Sequence, residues 1–227
     1  YRNYRLFFTG QSISLIGTWI QRIAMPWLVY KMTGSAFLLG LISFTGQIPT
    51  FLLAPFAGVL TDQLNRYRVL VSTQIFSMVA ALILAVLTLL GVIQIWHIVV
   101  LSIILGGINA FDVPSRHSFV IEMVDKKEDI GNAIALNSLM FNGARLIGPS
   151  IAGIILATAG EGICFLINAL SYIFVIASLL MMKVKDKERK KPEAHIFRHM
   201  KEGLDYAFGF APIKYLLYLL TLVSLMG

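Results

Sequence analysis

The hydrophobic positions of this chain do not alternate with polar ones at the period of a soluble helix or strand. They run in long stretches parted by short polar segments. A bilayer core of ~30 Å takes ~20 apolar residues at 1.5 Å per residue, so stretches of that length predict membrane-spanning helices. Six complete ones can be traced. The first runs from about Leu6 to Val29 with one charge, Arg22, and the second covers Met32 to Thr61 with Pro49 and Pro55 as its only interruptions. Val69 to Ile93 is the third. The fourth, Ile98 to about Phe119, meets Asp112, Pro114 and Arg116 towards its end, and the fifth, Ile130 to Ala159, carries Arg145 in its middle. Ile163 to Met182, without charge, is the sixth; a seventh run begins at Ile213 and covers about two thirds of a span by Gly227. A membrane barrel would need ten-residue segments of strict alternation, so the fold class is all-α membrane.

Composition agrees with that pattern. Of 227 residues, 57% are hydrophobic and 14% charged, against a usual ~45–50% and ~25%, which excludes an ordinary soluble domain and a disordered chain. The net charge of +7 would suggest nucleic acid in a soluble protein. Here most of the excess lies between Lys183 and Lys201, where eight basic residues face three acidic ones, so the charge belongs to a loop and no nucleic-acid partner is expected. Sixteen of the nineteen Lys and Arg fall on one side of the predicted spans, Lys31 alone on the other, and Arg22 and Arg145 within spans. That bias places the N-terminus and the 183–212 segment in the cytoplasm. The first span is too long, and lacks the cleavage site, to be a signal peptide. After Pro192, residues Ile196, Met200, Leu204 and Phe208 recur every fourth position, predicting an amphipathic helix on the membrane surface, either a tether between two membrane halves or a lipid-sensing switch. The organisation expected is a six-helix bundle over 1–182, a basic linker over 183–212 and the start of a seventh helix over 213–227.

Charges within spans are costly, ~2.5–3.5 kcal/mol each at the bilayer centre on insertion scales, and face a cavity or a partner. Arg145 lies ~20 Å along the fifth span from Asn132, near the midplane. Two roles fit it: a bidentate contact to an anionic group of a substrate, or a structural pair with a neighbouring helix. Arg22 sits in the outer half of the first span, where it either snorkels outwards or joins the same cavity. Gln21, Asn137 and Asn142 either line that cavity or act as interhelical hydrogen-bond glue. Asp112 and Arg116, four apart, can pair on a helix. Asp112 falls ~22 Å from His97 and is placed near the cytoplasmic end, beside the loop that carries Asp62.

Three motifs carry a family resemblance. Residues Gly58 to Arg68, reading GVLTDQLNRYR, resemble motif A of the major facilitator superfamily, G-x-L-a-D-r-x-G-r-R, departing at Gln63, Asn65 and Tyr67, with Arg68 standing in for the last Arg. Ala144 to Gly153, reading ARLIGPSIAG, resembles the superfamily's antiporter motif G-x-x-x-G-P-x-x-G-G with alanine for two glycines. Gly10 to Trp19 (GQSISLIGTW) and Cys164 to Tyr172 (CFLINALSY) look like the branch of enterobactin exporters and macrolide efflux proteins. The resemblance implies the six-helix N-terminal half of a twelve-helix fold plus the start of helix seven, with the C-terminal half missing from a chain that starts at Tyr1. It also implies a charge network of Asp62, Arg66, Arg68, Asp112 and Arg116 that latches the cytoplasmic gate, with Gly58 in its loop, and a bend at Gly148 and Pro149 that controls leak. Protonating Asp112 would release Arg116 and bias a two-state rocking motion. A static salt-bridge cluster is the alternative.

Other chemistries lack parts. Cys164 is the lone cysteine, so no disulfide or cysteine metal site is expected, and His97, His117, His195 and His199 form no ligand cluster within a span. No phosphate loop appears, so no cofactor and no enzyme activity are expected, and energy should come from an ion gradient. The expectation is proton-coupled export of a drug or siderophore-like small molecule across the bacterial inner membrane by alternating access. The alternatives are an importer of an anionic solute, a membrane-integral enzyme or a non-transporting scaffold.

Overall fold

The computed structural model describes residues 1–124, 126–183 and 209–226. The chain divides into two compact units, residues 1–188 and 189–227. The first holds α1 (Arg2–Thr33), α2 (Ala36–Gln63), α3 (Arg66–Leu89), α4 (Ile95–Glu122), a 3-10 turn (Lys127–Asp129), α5 (Ile130–Thr158) and α6 (Glu161–Leu180). There is no strand among the described residues. Short loops make successive helices antiparallel. Helix α1 packs on both α5 and α6, α3 on both α6 and α4, and α2 on α4.

The breaks between helices have local causes. Gly34 closes α1 in the left-handed region (φ 63°), its N–H donating to Tyr30 O, and Ser35 caps α2 by accepting from Leu38 N–H. Met32 therefore belongs to the last turn of α1, not to the second span as expected from the apolar run. Asn65 caps α3 by accepting from Arg68 N–H at 3.2 Å. Pro26, Pro49, Pro55, Pro114 and Pro149 all sit inside helices without ending them, as membrane bundles tolerate. Because α4 continues through Pro114 to Glu122, Asp112 lies ~15 Å short of its end. The fourth span, expected to end near Phe119, thus ends three residues later.

Five helices, α2 to α6, are long and apolar enough to cross a membrane. Helix α1 has 32 residues, length enough to cross, but polar residues interrupt it: Gln11, Ser14 and Gln21 are buried inside the bundle instead of facing lipid.

Two apolar clusters fill the bundle. Phe7, Leu70, Phe119, Val175 and Leu179 lie in the one nearer the N-terminal end, and Ala24, Val29, Leu84, Ile98, Cys164 and Phe165 in the other. At the N-terminal end, the Tyr1 hydroxyl donates to Asp129 Oδ2 (2.8 Å), Tyr4 to Ala133 O (3.0 Å) and Asn3 Nδ2 to Lys183 O (2.9 Å). These bonds tie the start of α1 to the start of α5 and the end of α6. At the opposite end, Lys31 pairs with the nearly buried Glu161 at 3.1 Å, joining α1 to α6.

The second unit contains α7 (Ala211–Met226), whose apolar stretch over 212–223 is shorter than a span. The amphipathic segment expected at Ile196 to Phe208 lies outside the described residues.

Candidate functional site

A membrane bundle with no interior function can be apolar throughout, because each buried polar group needs a partner. This one has a polar cleft of about 460 Å³. Helix α1 supplies Gln11, Ser14, Thr18, Trp19 and Arg22, and α4 supplies Asn109, Asp112, Arg116 and His117. Their spacing explains the cleft: residues three and four apart share one helix face, so each helix carries a polar stripe on an apolar body. Asn137, Ser138, Phe141 and Asn142 extend the lining from α5, Gln74 and Ser77 from α3, and Tyr172 from α6.

The centre of the cleft is an ion pair. Arg116 Nη2 lies 3.0 Å from Asp112 Oδ2, both side chains largely buried. The other carboxylate oxygen of Asp112 accepts from Gln74 Nε2 (2.6 Å) and Thr73 Oγ1 (3.0 Å). One charge on α4 is thus held by α4 and α3 together, the arrangement under which a buried charge is tolerated. Nearby, Tyr172 and Thr18 place their hydroxyl oxygens 3.5 Å apart, bridging α6 and α1.

Higher in the bundle, the guanidinium carbon of Arg22 stands 4.9 Å from the centre of the Trp19 ring and that of Arg145 5.8 Å from it. Phe141 meets the same indole edge-on at 5.9 Å. Arg22 and Arg145, on different helices, therefore converge on one aromatic side chain. The Ala144, Gly148 and Ala152 face of α5 is buried. A Cβ on Gly148 would collide with Trp19 Cβ and come within 3.2 Å of Ile16 O, so Gly148 is what lets α5 close on α1 just where the indole sits.

The remaining expected residues fall elsewhere. Gln21 does not line the cleft: it is buried against α6, where Asn168 Nδ2 donates to its Oε1 at 2.7 Å, because position 21 lies one residue off the α1 polar stripe. Asn142 reaches the cleft and also donates to Ser138 O at 2.9 Å. Of the five residues grouped as one latch, Arg66 and the Asp112–Arg116 pair take part in separate ion pairs. Arg66 pairs with Glu122 at 2.7 Å at the N-terminal end of the bundle, while Asp112 and Arg116 pair deeper. Asp62 lies in the last turn of α2, its side chain outside the described set. Arg68 is exposed at the start of α3, and a Cβ on Gly58 would meet nothing within 4 Å. Sequence reasoning missed Gln74, Thr73, Trp19 and Tyr172. The signal for the α1 and α4 lining was present as the helical spacing of polar residues, but Thr73 and Tyr172 carry no such mark.

Comparison with known proteins gives one family. The family model described as transmembrane secretion effector matches residues 2–224. The staphyloferrin A transporter of Staphylococcus aureus is 32% identical over 89% of this chain and 51% of its own length. The macrolide efflux protein A of Streptococcus pyogenes is 22% identical over 90% and 52%, and the multidrug efflux pump Tap of Mycolicibacterium fortuitum 24% over 92% and 52%. The chain spans about half the length of these curated relatives, which are transporters by name and not enzymes. With membrane-length helices around a polar cleft and that family model matched over residues 2–224, the chain belongs to the transmembrane secretion effector family of major facilitator transporters.

Proposed function

We propose that this chain forms the N-terminal half of a secondary active transporter that exports a small molecule, with protons as the driving ion and a second six-helix half completing the cavity. The observation that carries the reading is the Asp112–Arg116 pair inside the cleft. Asp112 is the only carboxylate lining it among the described residues, and its two oxygens hold three partners on two helices. Protonation of Asp112 would remove the charge that holds Arg116 and weaken the bonds from Thr73 and Gln74, so that α3 and α4 could move against each other. Arg116 and His117 on α4, Arg22 on α1 and Tyr172 on α6 are the other ionisable groups facing this cleft. A two-state rocking motion needs such a differential contact to be driven by an ion.

In this reading the Arg66–Glu122 pair, with Asp62, Arg68 and Gly58, serves the gate at the end bearing the N-terminus. Gly148 and Pro149 set the closure of α5 on α1. Arg145, Arg22, Asn137 and Asn142 face the substrate, and Gln21 stiffens the wall behind them. The N-terminus is cytoplasmic and the membrane is the bacterial inner membrane, as the Lys and Arg bias supports. Names of the relatives support a siderophore or drug-like cargo.

The test is reconstitution of the complete gene product in vesicles with an imposed pH gradient, with a macrolide or a siderophore as cargo and a pH dye inside. Export by antiport predicts cargo and protons moving in opposite directions, abolished by an uncoupler. Movement in the same direction would replace export by import, and no cargo flux with either compound would contradict transport.

A further inference from the structure

The cleft's charge is not balanced. Its one lining carboxylate among the described residues, Asp112, is already engaged by Arg116, Thr73 and Gln74. Arg22 and Arg145 have neither a hydrogen bond nor an ion pair among the described residues; what each has is the face of Trp19. A guanidinium within ~6 Å of an indole is attracted by the ring's quadrupole, but that contact leaves its five N–H donors available. Both cations are tied to one ring, so they cannot lie further apart than 4.9 and 5.8 Å taken together. Arg22 lines the cleft, and Arg145 is exposed on the α5 face that carries the lining residues Ser138 and Asn142, so two cations without a counter-ion among the described residues share one ring. An arrangement of this kind is relieved by a ligand that supplies negative charge to both.

We infer that Arg22, Trp19 and Arg145 form a binding site for a small molecule bearing at least two oxyanion groups, carboxylate or phosphate, one taken by each guanidinium. This rests on the transport reading above and names the substrate class for the same cleft. Guanidinium groups receive such oxyanions through two parallel hydrogen bonds. A single anion leaves one arginine unanswered, and a cation is repelled by both. Trp19 is a positioning residue. Its Cβ sits against Gly148 and its ring meets Phe141, so the indole is fixed between α1 and α5 and sets how far apart the two guanidiniums stand. Asn142 and Ser138, on the same face of α5 as Arg145, offer polar contacts to the body of the ligand.

The experiment uses the complete gene product in detergent and titrates it with four probes on one benzene body: dimethyl isophthalate, benzoate, isophthalate and benzene-1,3-bisphosphonate. The inference predicts that affinity rises about tenfold or more from benzoate to isophthalate, the size of one added charge-assisted contact, with the diester weakest. The bisphosphonate arm decides which oxyanion is preferred. R22Q and R145Q should each remove the preference for two charges over one, while R22K and R145K keep part of it. W19L should lower that preference more than it lowers binding of the diester, a difference that a merely structural role would not produce. Equal affinity for the mono- and dianion, or a preference that survives both glutamine variants, overturns the site. Flux of isophthalate and of a macrolide in vesicles of the same protein separates the two readings: macrolide flux without anion preference refutes this site alone, and anion preference with neither compound carried refutes transport alone.

Discussion

Asp112 and Arg116 show how one buried pair sets the behaviour of its surroundings. Removing one partner of a buried pair costs about 3–5 kcal/mol, because the other charge is left behind, whereas replacing both with neutral groups costs far less. Arg116→Ala should therefore lower the melting temperature of the purified complete protein clearly. The double variant Asp112→Asn with Arg116→Gln should melt closer to the original. Equal losses in both would show that the pair is not coupled. For function the direction is different: Asp112→Asn keeps the hydrogen bonds from Thr73 and Gln74 in part but cannot exchange a proton. Cargo flux in vesicles carrying it should no longer respond to the pH gradient, and an unchanged response would remove Asp112 from the coupling step.

Helix α5 meets α1 along Ala144, Gly148 and Ala152, and the two helices share Trp19. Gly148→Leu should force them apart, since even a Cβ there collides with Trp19 and crowds Ile16. Overpacking of that kind costs about 1–3 kcal/mol, and the variant should melt several degrees lower. Gly58→Ala, where a Cβ meets nothing within 4 Å, should stay within about 0.5 kcal/mol of the original. A reversed order of these two variants would contradict the packing described. The helices themselves were legible in the sequence, because uncharged runs of span length admit little else. What was less legible was where they end. Apolar content placed Met32 in the second span, whereas Gly34 and Ser35 decide the turn. It also ended the fourth span near Phe119, three residues before α4 stops at Glu122. The i, i+4 spacing did foretell the Asp112–Arg116 contact, a local fact. Pairing with Gln74 and Thr73 is a tertiary fact, as is the departure of Gln21 to Asn168.

At the scale of the whole unit, the central claim is that one polar face, assembled from stripes on separate helices, is open to water within a membrane bundle and receives the cargo. On α5, Ser138 lines that face. Ile147, exposed but nine residues on, points to the far side of the helix at 100° per residue. The most direct test labels single cysteines at these two positions in the complete gene product, with the buried Cys164 and any other native cysteine replaced, using a membrane-impermeant maleimide on vesicles. The account predicts that Ser138→Cys is labelled and is protected by bound cargo, while Ile147→Cys is not labelled. Labelling of Ile147→Cys with Ser138→Cys inert would contradict it.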